Sequence, residues 1–232
     1  MYDGLGIRAP FFEVGPKAYL FGKDALELAK WLDMLSKKYD VDIIYTPQYT
    51  DLYPCAQATE RLFVFAQHMD PLPVGRGLGS VLPEAVKASG AKGVMLNHAE
   101  CPISMEVLEE TIRRADEVGL GTIVCADTVE DVARIAKMGP NLIVAEPTEL
   151  IGTGQTSDMD YVKATIEAVQ AINPKIMVLQ GAGISNGMDV YNVIKAGAQA
   201  TGSTSGIIKN SNPMAMAEEM IAAVRKAWNE TH

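Results

Sequence analysis

The chain has 232 residues, of which 48% are hydrophobic and 21% are charged, a balance typical of globular proteins. This length fits one large domain or two small ones, with enough core to need no disulfide or metal for stability. The formal net charge of −9 argues against binding DNA or RNA through the phosphate backbone, but backbone N–H groups can still hold a small phosphorylated ligand.

Eight short runs rich in β-branched residues are predicted to form buried strands. They begin 20 to 34 residues apart, which leaves room for one helix in each interval. In chain order the predicted strands are Phe11–Val14, Val41–Tyr45, Leu62–Phe65, Gly93–Leu96, Thr122–Cys125, Leu142–Ala145, Ile176–Leu179 and Ala198–Thr201.

Several of the intervening helices can be recognised from their apolar spacing and their caps. Apolar residues recur at intervals of three and four within Asp24–Lys37 and within Met105–Ala115, as expected for one helix face. Asp127 followed by Glu130 resembles a capping box. Ser157 is the predicted cap of the helix that follows it.

Eight strand–helix units in a chain of this length predict an α/β fold, a (β/α)8 TIM barrel. We find no linker and no break in composition, so residues 1–232 are predicted to form a single domain. An open doubly wound sheet is the nearest alternative, but it uses fewer strands for a chain of this length.

Residues able to carry chemistry follow the predicted strands, where a barrel places its active site. Lys17 follows the first strand, His98 the fourth and Glu146 the sixth. Glycine-rich segments follow the seventh and eighth strands, at residues 181–185 and 202–206. A lysine, a histidine and a glutamate near one rim, beside glycine-rich loops, predict a proton-transfer site with an anion pocket.

Four segments resemble the triosephosphate isomerase family, most closely its short archaeal-type branch. They are FAQHMDP (65–71), VLPEAVKASGAKGVMLNHAE (81–100), AEPTELIGTG (145–154) and LQGAGIS (179–185). The resemblance extends from about Phe11 to about Trp228, and AEPTELIGTG together with LNHAE is its most specific part. It implies a (β/α)8 fold and an isomerase of glycolysis and gluconeogenesis that interconverts dihydroxyacetone phosphate and glyceraldehyde 3-phosphate without cofactor or metal.

The resemblance also implies roles for individual residues. The family's general base falls on Glu146, its electrophilic histidine on His98 and its active-site lysine on Lys17. A second glutamate of the site falls on Glu100. The phosphate-binding backbone amides fall on Gly152, Gly183, Ser205 and Gly206.

The chain departs from the family at Gly15, where the family normally carries an asparagine that donates to a substrate oxygen. We interpret the missing side chain as leaving space in the site. Two alternatives to the triose phosphate reaction therefore stay open. One is an isomerase of a longer phosphoketose, for example a tetrulose phosphate, and the other is a non-catalytic relative that binds a phosphorylated ligand.

Other patterns are weaker. His68 with Asp70 and His98 with Glu100 provide only two possible metal ligands each, whereas metal sites usually need three protein ligands, so we expect no metal. The segment 181–183 resembles the start of a dinucleotide fingerprint, but its third glycine is missing.

The expected partners are a small phosphorylated sugar and further copies of the chain, with no membrane and no nucleic acid. By resemblance to the family, the loop at residues 70–80 is expected to dock on a neighbouring subunit in a homodimer or homotetramer. No apolar run approaches the 18 residues typical of a membrane helix, and we recognise no secretion signal. The three cysteines, an odd number without metal-type spacing, favour a reducing compartment, so we expect a cytoplasmic location.

Overall fold

A computed structural model describes residues 1–151, 153–155 and 157–232. Eight parallel strands close into a barrel in sequence order, which confirms the predicted (β/α)8 fold. The observed strands differ from the predicted ones by at most two residues at either end. They are β1 (Phe11–Val14), β2 (Asp42–Tyr45), β3 (Phe63–Ala66), β4 (Gly93–Leu96), β5 (Gly121–Ala126), β6 (Leu142–Ala145), β7 (Met177–Gln180) and β8 (Ala200–Gly202).

Helices follow the strands and surround the barrel. They are α1 (Gly22–Tyr39), α2 (Leu52–Ala58), α3 (Pro83–Ala88), α4 (Met105–Val118), α5 (Val129–Ala136), α6 (Met159–Ile172), α7 (Gly187–Lys195), α8 (Ser205–Ile208) and α9 (Pro213–Asn229). Short 3-10 turns occupy Tyr49–Asp51 and Thr148–Leu150. Within the described parts of the chain, no helix combines the length and the apolar character needed to cross a membrane.

Two helix caps differ from the prediction by one residue. Thr128, and not Asp127, caps α5 by accepting a hydrogen bond from the backbone N–H three residues on. Asp127 instead accepts a hydrogen bond of 2.8 Å from the backbone N–H of Thr148. Asp158, and not Ser157, caps α6 in the same way. In both cases two adjacent residues offer a capping oxygen, and the path of the preceding loop decides which one is used.

The strands are buried on both faces, and alternate residues face the barrel interior and the helices. The interior is filled by an apolar cluster that includes Phe11, Ile44, Phe65, Leu142 and Leu179. The opposite strand faces pack against the helices in a second, larger cluster. The side chains of the first cluster fill the barrel interior, so it has no room for a ligand. In barrels of this kind the ligand site lies at the carboxyl ends of the strands.

The barrel closes where the first and the last elements of the chain meet. Strand β1 pairs in parallel with β8, and α1 lies against α9. The indole N–H of Trp31 on α1 donates to the carbonyl oxygen of Met214 on α9 at 3.0 Å. Lys38 forms an ion pair of 2.6 Å with Glu218. Polar contacts thus join the two ends of the chain along this seam.

Candidate active site

A pocket of about 450 Å³ lies at the carboxyl ends of the strands. Its wall includes six residues that the sequence analysis assigned to the site, namely Lys17, His98, Glu100, Glu146, Gly183 and Ser205. Gly206 follows Ser205 in α8 but does not line this pocket. The predicted phosphate contact Gly152 lies outside the described residues.

Glu146 directly follows β6, whose buried apolar residues fix its position. Its carboxylate oxygen Oε1 accepts a hydrogen bond of 2.9 Å from the backbone N–H of Ala182, after β7. Burial raises the pKa of Glu146, while the hydrogen bond from Ala182 and the charge of Lys17 act against that rise. A carboxylate with a raised pKa is a stronger base, and the hydrogen bond holds it in one orientation.

His98 enters the pocket from the loop after β4. Its ring atom Nδ1 accepts a hydrogen bond of 3.0 Å from the backbone N–H of Glu100, so the neutral ring carries its proton on Nε2. Burial, followed by the charge of Lys17, lowers the pKa of His98, while the charge of Glu100 acts in the opposite direction. The imidazole is therefore neutral at neutral pH and can donate a hydrogen bond from Nε2.

Lys17 is held in an unusual backbone conformation with φ of 49°, in the left-handed region that few residues other than glycine adopt. Its carbonyl oxygen accepts hydrogen bonds from the side-chain amides of Gln48 and Gln67, at 2.8 and 3.0 Å. Its ammonium forms an ion pair of 2.8 Å with Glu100, and this contact lowers the pKa of that carboxyl. These contacts fix a positive charge in the pocket wall.

Backbone N–H groups line another part of the pocket. The N–H of Ala182 is used by Glu146, but no acceptor among the described residues takes the N–H of Gly183 or of Ser205. Ser205 begins α8, and the first N–H groups of a helix have no acceptor within it. Such groups can bind the oxygens of a phosphate.

The interpretation that Gly15 leaves open space is wrong. A Cβ atom at this position would lie 2.9 Å from Oε1 of Glu13, 3.1 Å from the hydroxyl of Thr46 and 3.3 Å from that of Thr204. The carboxyl of Glu13 and the two hydroxyls therefore occupy the place where a side chain at Gly15 would begin.

The sequence analysis missed Glu13, a carboxyl that also lines the pocket. It is buried on β1, and its Oε1 accepts a hydrogen bond of 3.1 Å from the hydroxyl of Thr46. Burial raises the pKa of Glu13 to about 7; the hydrogen bond from Thr46 opposes this rise, the charge of Glu146 adds to it and the charge of Lys17 opposes it. The available signal was an acidic residue at the interior register of a strand that is otherwise apolar, two residues before Gly15.

Comparison with known proteins agrees with this geometry. The family model of triosephosphate isomerase matches residues 16–220. The triosephosphate isomerase of Sulfurisphaera tokodaii is 36% identical over 225 residues, which cover 95% of this chain and 98% of the relative. The one of Methanobacterium bryantii is 36% identical over 222 residues, or 94% and 98% of the two chains. The triosephosphate isomerase of Methanosarcina mazei is 37% identical over 221 residues, which cover 93% of this chain and 99% of the relative.

Proposed function

This chain belongs to the triosephosphate isomerase family, and on that premise we propose that Glu146, His98 and Lys17 carry out its proton transfer. The resemblance found in the sequence is confirmed, and with it the class of enzyme. The protein is an aldose–ketose isomerase that interconverts dihydroxyacetone phosphate and glyceraldehyde 3-phosphate. Its substrate is thus a small phosphorylated sugar.

In the proposed mechanism, Glu146 removes a proton from the carbon next to the substrate carbonyl. The electron pair of the broken C–H bond forms the C=C bond of an enediolate, and the carbonyl pair moves onto oxygen. His98 donates from Nε2 to this oxygen, and Lys17 stabilises its negative charge. Glu146 then returns the proton to the neighbouring carbon. Meanwhile Nε2 of His98 gives its proton to the former carbonyl oxygen and takes up the hydroxyl proton of the other oxygen, which becomes the new carbonyl, so atoms and charge balance over the cycle.

The observation that carries this proposal is the placement of a base, a neutral hydrogen-bond donor and a fixed cation around one pocket. Glu146 is oriented by Ala182, His98 by the N–H of Glu100, and Lys17 by its pair with Glu100. A protein that only binds a phosphorylated ligand has no need of an oriented base. For the phosphate we propose the N–H groups of Gly183 and Ser205, joined by those of Gly206 and Gly152.

A coupled assay that follows glyceraldehyde 3-phosphate formation tests the function. We expect the purified protein to turn over dihydroxyacetone phosphate with kcat/KM of about 10⁴ M⁻¹s⁻¹ or more. A tetrulose phosphate is expected to react about tenfold more slowly or worse, because its extra carbon needs additional room beside the catalytic groups. Glu13 already fills the space beside Gly15 where such room was expected.

A Glu146→Gln variant, purified in parallel, serves as the control for contaminating isomerase from the expression host. Faster turnover of the tetrulose phosphate would favour the longer phosphoketose as substrate. If neither substrate reacts while a phosphorylated ligand still binds, the protein is a non-catalytic relative and the proposal fails.

We also propose that the chain forms a homodimer or homotetramer through residues 70–80. The base of this loop is closed by Asp70, whose backbone and side chain both bond to Val81, at 2.9 and 2.7 Å. At its tip the side chains of Val74 and Leu78 are 70% and 107% exposed. Apolar side chains on a loop with a fixed base are suited to insertion into a neighbouring subunit.

The variant Leu78→Asp is expected to shift the assembly toward a monomer, because burying the new carboxylate in an apolar contact is unfavourable. Light scattering at micromolar concentration measures the mass. Met188→Asp is the matched control, since Met188 on α7 is 65% exposed but lies outside the loop. A parent protein that is already monomeric at this concentration would contradict the proposal.

The cytoplasm is the location we propose, on the basis of the cysteines. Cys55, Cys101 and Cys125 are free thiols, and Cys55 and Cys125 are buried. Free thiols are typical of reducing compartments, where disulfides are rare.

A further inference from the structure

Glu13 is a buried carboxyl that the mechanism above does not use. It occupies an interior position of β1, two residues after Phe11 and two residues before Gly15. Its side chain lines the same pocket as Glu146 and Lys17. The carboxyl therefore faces the space that the substrate enters.

Two glycines provide the volume that this carboxyl occupies. A Cβ atom at Gly15 would lie 2.9 Å from Oε1 of Glu13, and a Cβ atom at Gly202 would lie 3.0 Å from Oε2. Gly15 directly follows β1, the strand of Glu13, and Gly202 lies on the paired strand β8, opposite Glu13 in the register. A side chain at either position would crowd Glu13.

The carboxyl has few partners that could support a negative charge. Oε1 is bonded to the hydroxyl of Thr46, and Oε2 has no hydrogen-bond partner among the described residues. Lys17 pairs with Glu100, and in the described part of the chain no basic group forms an ion pair with Glu13. Burying an unpaired charge is far less favourable than burying the neutral acid. A neutral carboxyl carries an O–H that needs an acceptor.

The charged and titratable groups around Glu13 come from three elements. Lys17, after β1, favours the ionised form of Glu13, whereas Glu146, after β6, disfavours it. Cys125 on β5 is a buried thiol whose pKa is raised by burial, so it is neutral. Thr46, which follows β2, is uncharged, and the hydrogen bond that its hydroxyl donates to Glu13 lowers the pKa of the carboxyl. Burial is the largest effect and brings the pKa of Glu13 to about 7.

We propose that Glu13 is a further catalytic residue, whose neutral carboxyl donates a hydrogen bond from its O–H to the substrate oxygen on which negative charge develops. This inference rests on the isomerase function proposed above. The proton stays on Glu13 throughout the cycle, and Glu146 alone moves the carbon-bound proton. A fixed donor in a buried pocket stabilises the enediolate without reorganisation of solvent.

The direction of the pH effect follows from this role. The neutral form of Glu13 is the active one, and it is lost as the pH rises through about 7. Above that pH a carboxylate faces the developing oxyanion and repels it. The loss of kcat/KM at basic pH should therefore follow the ionisation of Glu13.

Two substitutions distinguish the effect of the hydrogen bond on activity from the effect of the side-chain volume. Glu13→Gln keeps an N–H donor, has nearly the same shape and cannot ionise. Glu13→Met has a similar length and no donor. Glu109→Gln, the same change on the exposed surface of α4, is the matched control.

The test compares kcat/KM for dihydroxyacetone phosphate between pH 6 and 9, and the melting temperature, for the parent and each variant. At pH 6.5 we expect Glu13→Met to lower kcat/KM by about 10²–10³, and Glu13→Gln to stay within roughly fivefold of the parent. Above pH 7 the parent should lose about tenfold in kcat/KM for each further pH unit, a loss absent from Glu13→Gln. Glu13→Met should keep or raise the melting temperature, because an apolar residue replaces a poorly partnered buried acid.

Equal activity of parent, Glu13→Gln and Glu13→Met would overturn the proposal. So would a Glu13→Gln variant as impaired as Glu13→Met, because the negative charge would then be what matters. A fall in melting temperature for Glu13→Met that parallels its loss of activity would assign Glu13 a structural role instead.

Binding of 2-phosphoglycolate, whose carboxylate resembles the enediolate, keeps this test separate from the test of function. A parent that does not turn over triose phosphate would defeat the proposed function, and the binding series would still decide on Glu13. At pH 6.5 we expect Glu13→Met to weaken binding about tenfold or more and Glu13→Gln to bind like the parent. Equal binding by all three proteins would show that Glu13 does not touch the ligand.

Discussion

Replacing Glu146 with aspartate is expected to lower kcat for dihydroxyacetone phosphate by about 10²-fold, with an unchanged fold. The shorter side chain withdraws the carboxylate by about 1 Å, a displacement that can reduce turnover by this factor. It also breaks or bends the 2.9 Å hydrogen bond by which Ala182 orients the base. Steady-state kinetics with circular dichroism before and after melting measures both properties.

Glu149→Asp is the matched control for this change. Glu149 lies three residues further along the same loop, is exposed, and should tolerate the same shortening without loss of activity. If Glu146→Asp retained full turnover, Glu146 would not be the base. The acid side of the pH profile gives an independent check. The base must be ionised to act, so kcat/KM should fall as the pH drops through the raised pKa of Glu146.

The second large effect is expected for Lys17→Met, which removes the positive charge and keeps most of the side-chain volume. We expect kcat/KM to fall by about 10²–10³, because a fixed charge in a buried site stabilises the enediolate strongly. The loss should appear in kcat as well as in KM, since the charge on the substrate oxygen is greater in the transition state than in the bound substrate.

Lys23→Met is the control for the loss of one surface charge. Lys23 lies on α1, its side chain is 84% exposed, and its only ion pair is with Glu27 one turn away within the described residues. Glu100→Gln should have a smaller effect than Lys17→Met, because it removes the partner that positions the lysine and leaves the charge in place. Comparable activity of Lys17→Met and Lys23→Met would exclude Lys17 from the mechanism.

The fold was predictable because buried strands and amphipathic helices leave regular apolar patterns. The residues at which the helices begin were harder to predict. The sequence places Asp127 next to Thr128, and Ser157 next to Asp158, and each pair contains two residues that can cap a helix. Which one does so depends on where the preceding loop leaves the barrel, and that is a property of the closed structure.

The site was predictable to the extent that its residues follow strand ends. Glu13 was missed because it sits inside a strand, where its importance depends on Gly15 above it and on Gly202 across the pairing with β8. The absence of a side chain at Gly15 suggested empty space because the sequence does not show where the neighbouring side chains point. Only the folded barrel shows that the carboxyl of Glu13 and the hydroxyls of Thr46 and Thr204 surround this position.

The pairing of the first strand with the last affects how the protein can fold during its synthesis on the ribosome. Strand β1 is synthesised first, but its second neighbour, β8, follows only at residues 200–202, and α9 after that. Until then any sheet that the nascent chain forms has an unpaired edge at each side, and unpaired edges favour pairing with other chains. The barrel therefore cannot close before β8 has left the exit tunnel, whichever part of the sheet forms earlier.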